Sequence, residues 1–136
     1  MIHPTLSSLR TFLHLLAISI WLGGQIVLAG VVPSLRRSNP DALTNIAKGY
    51  AKIAWPAMFV IVLTGVWGLS ETNVGERSSA YMFTLALKML LVASAVTATL
   101  IHSYGTSKLS KGLGGAIGLL ATLFAAYCGV LLAHVG

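Results

Sequence analysis

The chain is 136 residues long, 56% hydrophobic and only 9% charged, with a formal net charge of +6. Soluble proteins carry about a quarter charged residues, and a soluble domain this small cannot bury so much apolar surface, so the solvent is lipid. The basic residues lie in short segments between apolar runs, a pattern that fits membrane topology and anionic headgroups rather than nucleic acid. The single cysteine, Cys128, excludes an internal disulfide and a Cys-based zinc site.

Four apolar runs are long enough to cross a bilayer, which takes about 20 residues per helix. The first covers roughly 9–32 and is too long for the apolar core of a signal peptide. Pro33 is expected to end it, leaving 33–52 as a polar, turn-rich loop. The second run, 53–69, is the shortest, and Pro56 falls within its first turn, where a missing N–H does little harm. A polar loop over 70–80 leads into the third run, 81–103, which contains Lys88. A last loop over 104–112 precedes the fourth run, 113–134. No linker or composition break divides the chain. The expected fold is therefore all-α: one integral membrane domain, 1–136, forming a bundle of four transmembrane helices.

Basic residues set the expected orientation. The first and third loops carry Arg36, Arg37, Lys48, Lys52, Lys108 and Lys111, whereas the other side has Arg10 and Arg77. The positive-inside rule puts the richer loops in the cytoplasm of a multi-pass inner (plasma) membrane protein, with both termini on the outer side. At about 1.5 Å per residue, His14 and Lys88 then lie roughly 8–11 Å below the outer ends of their helices. Trp67, Tyr127 and Cys128 fall in the same leaflet, and His134 at the outer interface.

Helical faces group the polar residues further. His14, Trp21 and Gln25 lie within about 40° of one another at 100° per residue. Lys88, Ala95, Thr99 and His102 share a face of the third helix, and Tyr127 and His134 a face of the fourth. Gly114 and Gly118 give the fourth helix a GxxxG spacing, which suits close packing within the chain or in a homodimer.

Lys88 is an expensive residue, costing about 2.5–3.5 kcal/mol at the centre of an inserted helix. No Asp or Glu lies within any span. Its candidate partners are a cofactor propionate, an anionic substrate, a backbone carbonyl or water, and it can also snorkel outward. A neutral Lys can ligate iron or accept a proton, which makes Lys88 the candidate catalytic group. His14 needs a hydrogen bond or a ligand at its depth. It suits a structural bond across helices, an axial position on haem b, or a metal such as copper. Arg10, one turn above His14, can pair with a propionate or anchor the interface. Trp21 and Trp67 are candidate cofactor walls, with Tyr127 beside them, and His134 is a candidate second ligand. For copper, Met82 and Met89 share a face of the third helix, while Met58 lies at the opposite depth, without an MxxM or CxxC cluster. Paired carboxylates, a phosphate loop and a Ser/His/Asp arrangement are absent from the sequence, so hydrolysis and phosphoryl transfer are not expected.

Three segments also carry a family resemblance. Phe12 to Gly24 (FLHLLAISIWLGG) resembles the first helix of the CopD-like integral membrane family and of the related HemJ-type protoporphyrinogen oxidase-like proteins. Ala54 to Leu69 (AWPAMFVIVLTGVWGL) resembles their second helix, and Leu85 to Val92 (LALKMLLV), followed by His102, their third. In the HemJ-type proteins the first-helix His and third-helix Lys matter for haem binding and activity, and by motif position these correspond to His14 and Lys88. CopD proteins are associated with copper uptake or resistance. The resemblance thus implies a membrane haem b protein with His14 as axial ligand. Its role would be redox, gas-binding or porphyrin-related, with an electron donor or acceptor, a small gas or a porphyrin as partner. The alternatives are a copper-binding or copper-transport module and a cofactor-free membrane interaction protein.

Overall fold

Thr5 starts the first helix. Its hydroxyl accepts from the Ser8 N–H and the Ser8 hydroxyl accepts from the Thr5 N–H, a capping box that satisfies two donors a helix start would otherwise orphan. The helix, α1, runs Leu6–Ser38. The computed structural model describes residues 2–105 and 107–135.

Pro33 lies inside α1, contrary to the sequence expectation. The helix survives because the next strong breaker is the Asn39–Pro40 pair. Half-buried Leu35 keeps the helical stripe going past the proline. The carbonyl that Pro33 deprives of a partner is tolerable in a membrane helix, where neighbouring groups adjust around it. Asn39 then serves both helices. Its N–H donates to the Leu35 carbonyl, closing α1, and its side-chain oxygen accepts from the Ala42 N–H, opening α2, Pro40–Ser70. Pro40 occupies the helix start, where its fixed φ is an asset. The expected loop over 33–52 is thus a one-residue turn between two helices, and Pro56 stands well inside α2 instead of in its first turn.

A short 3-10 turn, Val74–Glu76, leads to α3, Ser79–Tyr104, whose N-cap Ser78 accepts from the Tyr81 N–H. The fourth helix, α4, is Lys108–Val135. Four helices long and apolar enough to span a bilayer, with no strand among the described residues, make this an all-α multi-pass membrane protein.

The chain divides after Asn73 into two compact helical hairpins. In the first, α2 buries Ala54, Ala57, Met58, Ile61 and Thr64 at three- and four-residue steps, and α1 buries Ala17 and Trp21. Antiparallel register follows from paired contacts: Arg10 against Gly68, His14 against Thr64, Trp21 against Trp55, and Gly24 against Tyr50. In the second hairpin, Gly114 lies on the Ala98 carbonyl and His102, Gly118 on Ala98 and Thr99, and Gly129 on Lys88. The GxxxG face of α4 is therefore used against α3, where missing side chains let the two backbones approach.

Candidate functional site

The site builds outward from His14 on α1. Its Nδ1 lies 2.6 Å from the Thr64 hydroxyl on α2. Thr64 is only 5% exposed, and its Oγ1 is also 2.6 Å from the Val60 carbonyl oxygen. A carbonyl cannot donate, so the single hydroxyl proton goes to Val60. The hydroxyl must then accept at its other contact, and Nδ1 carries the proton that it accepts. In the neutral ring this tautomer puts the lone pair on Nε2. A donor bond from one ring nitrogen that orients the other is the arrangement metal-binding histidines use. A Cβ on Gly65 would lie 3.9 Å from His14 Cε1, at ordinary van der Waals distance, so the imidazole packs beside this turn of α2.

One turn along α1, Arg10 lies against Gly68. A Cβ on Gly68 would run into its guanidinium. Arg10 Nε is 3.3 Å from Glu71 Oε2, and Nη2 donates to the Ser7 hydroxyl at 3.3 Å. The Nε contact is charge pairing without an aligned hydrogen bond, since Nε is buried with no acceptor in bonding geometry. The other carboxylate oxygen of Glu71 accepts from Trp67 Nε1 at 2.8 Å. Arg10 and Trp67, expected to face a cofactor, are thus joined through a carboxylate of their own chain. Glu71 was not singled out in the sequence because it lies just past the apolar run, at the C-cap of α2.

Towards the turn, Trp21 is 1% exposed and meets Trp55 edge-on, with ring centroids 5.8 Å apart at 69°. The Tyr50 hydroxyl donates to the Trp21 carbonyl at 2.6 Å, and the Tyr50 ring covers Gly24. Trp21 is therefore a core side chain. Gln25, on the same face, has its Oε1 buried without a hydrogen bond.

The second hairpin holds the remaining candidates. Lys88 is half-buried, with Nζ 3.4 Å from where a Gly129 Cβ would stand. Among the described residues it makes no ion pair. His102 Nδ1–H donates to the Lys111 carbonyl, tying the end of α3 to the start of α4. Tyr127 is 60% exposed and His134 is exposed, bonded through Nδ1–H to Val130 in its own helix. Both lie off the face that α4 buries, which is made by Gly114, Gly118, Ala121, Ala125 and Cys128. Met82 and Met89 are exposed and Met58 is core. Among the described residues no three His, Cys, Asp or Glu side chains gather as a metal site.

The structure thus brings His14, Thr64 and Gly65 together, and beside them Arg10, Gly68, Glu71 and Trp67. Lys88, Tyr127 and His134 belong to the other hairpin. The missed residues had a faint signal: Thr64, Gly65 and Gly68 form a T-G-x-x-G run in the second span. Compared with protein-family models, characterised proteins and solved structures, the chain matches none.

Proposed function

We propose that the protein is a membrane haem b-binding protein in which His14 presents Nε2 as an axial ligand, in a redox, gas-binding or porphyrin-related role. The observation that carries this reading is the Nδ1–Thr64–Val60 relay, which holds a half-buried imidazole in the metal-binding tautomer. The resemblance of 12–24, 54–69 and 85–92 to CopD-like and HemJ-type helices supports it. Haem b, when bound, supplies an iron centre that changes redox state or takes a gas ligand.

The chain's own residues have separate tasks. Thr64 fixes the ring's proton and orientation, and Gly65 packs beside the ring. Arg10, steadied by Glu71, holds a positive charge one turn from His14. Lys88, a lysine within an apolar span, is the second group whose loss the same assay reads. The excess of Lys and Arg in 36–52 and 108–111 supports placing both segments on the cytoplasmic side of a plasma membrane, with the termini outside.

The test is the visible spectrum and metal content of the chain purified in mild detergent. The expected result is a Soret band with iron, lost in His14→Ala while far-UV circular dichroism stays helical. A colourless protein with stoichiometric copper would support the CopD-like alternative, and a folded protein unable to take up either would sink both.

A further inference from the structure

The closed end of the first hairpin carries charge that the haem reading leaves unused. Arg36, Arg37, Lys48 and Lys52 lie there against one acidic residue, Asp41. All four cations are exposed, and among the described residues none is ion-paired; the pair present, Arg10–Glu71, is at the opposite end.

Helix length places these cations relative to lipid. The 33 residues of α1 extend for about 50 Å, against a hydrocarbon core of ~30 Å. Residues 33–38, beyond Val32 where the apolar run stops, take up about 9 Å of that surplus. Carried towards Asn39 at equal rise, the Gly24–Tyr50 and Trp21–Trp55 contacts bring residues 43–45 of α2 close to the level of Val31. Because the apolar run stops there, we take that level as the edge of the hydrocarbon, with the phosphate layer next to it.

Side-chain direction then focuses the charge. Along a helix, Cα–Cβ bonds lean towards the N-terminus. On α1 this means away from the turn, and on α2 towards it. Arg36 and Arg37, beyond the hydrocarbon edge, lean back to it, and Arg37 Nε donates to the Pro33 carbonyl at 3.3 Å in this sense. Lys48 and Lys52, below the edge, lean up to it, and their long stems allow the ammonium groups to reach the headgroups. Val27, Val31, Ile46 and Ile53 are exposed alongside.

We propose that this end of the hairpin binds an anionic glycerophospholipid, its phosphate held by Arg36, Arg37, Lys48 and Lys52 and its acyl chains lying along the exposed valines and isoleucines. Guanidinium groups suit phosphate because they can donate two parallel bonds to it. The apolar rim is what distinguishes a lipid from free phosphate as the occupant.

The experiment is retention of added lipid by the purified chain, read by native mass spectrometry after titration with phosphatidylglycerol or phosphatidylcholine. Basic groups near an anionic surface each contribute several-fold, so a preference for phosphatidylglycerol of about tenfold or more is expected. Replacing all four cations (Arg36→Gln, Arg37→Gln, Lys48→Gln, Lys52→Gln) should abolish that preference. Replacing Lys108 and Lys111 by Gln should leave it intact. Should the fourfold variant fail to fold, the Lys48→Gln/Lys52→Gln pair, both exposed side chains, should still lower the preference several-fold. Equal retention of the two lipids by the unaltered chain, or an undiminished preference in the variants, overturns the proposal. Complete displacement of phosphatidylglycerol by an equal concentration of inorganic phosphate overturns the lipid assignment.

Discussion

Gly114→Ala should loosen the second hairpin although alanine is the better helix former. A Cβ at this position would sit 2.7 Å from the Ala98 carbonyl oxygen, 2.9 Å from the His102 nitrogen and 3.1 Å from the His102 Cβ. The first contact is about 0.6 Å inside a close C···O approach of ~3.3 Å. Two of the three neighbours are backbone, so a rotamer change cannot relieve the clash and the helices must part. Overpacking of this kind costs about 1–3 kcal/mol, against a propensity gain of about 1 kcal/mol. Gly112 provides the control, because a Cβ there meets nothing within 4 Å. Gly112→Ala should keep the propensity gain alone. The difference between the two variants therefore isolates the steric cost, about 1–3 kcal/mol. Cys128 is buried in α4 and is the chain's one thiol, so heat-induced reaction with a maleimide dye reports opening of this hairpin. Gly114→Ala should expose it at a temperature lower by about 4 °C or more than Gly112→Ala. Equal or higher temperatures for Gly114→Ala would refute the close α3–α4 contact.

Thr64→Val keeps the shape but removes the acceptor for His14 Nδ1–H; haem titration should show affinity falling by about 10–100-fold, with Thr64→Ser close to the unaltered chain. Arg10 and Glu71 are partly exposed, so a double-mutant cycle on thermal stability should give a coupling of only about 0.2–1 kcal/mol, vanishing near ~1 M salt. Tyr50→Phe deletes the hydrogen bond to the Trp21 carbonyl and should cost about 0.5–1.5 kcal/mol, followed by unfolding monitored through tryptophan fluorescence. All three tryptophans, Trp21, Trp55 and Trp67, lie in the first hairpin, so that signal is local to it.

The four helices were legible because apolar runs of membrane length leave little choice of structure. Their ends were not. Pro33 and the polar residues after it read as a loop, yet α1 runs on through half-buried Leu35 to Ser38, half-buried Leu43 and Tyr50 lie seven residues apart on α2, and Asn39 alone makes the turn. The position of that turn decides the site. A wide loop leaves the register of the first two helices open, whereas a turn at Asn39 sets His14 opposite Thr64. His14 could be picked out because an imidazole at membrane depth needs a partner. Thr64 could not, since a threonine in an apolar run commonly bonds back to its own helix, as Thr84, Thr97 and Thr99 do here. Tyr127 and His134 are seven residues apart on α4, but the small residues of that helix decide which face packs, and both side chains are exposed. Trp21 is the converse case: its depth in the span suggests a cavity wall, and the structure packs it as core against Trp55.

The proposed haem site turns on one nitrogen atom, Nε2 of His14. Titrating haem into the purified, detergent-solubilised chain and into His14→Ala tests it most directly, with His134→Ala as a parallel control. A saturable Soret shift at one haem per chain is expected, absent in His14→Ala and retained in His134→Ala. An identical shift and stoichiometry in His14→Ala would contradict it.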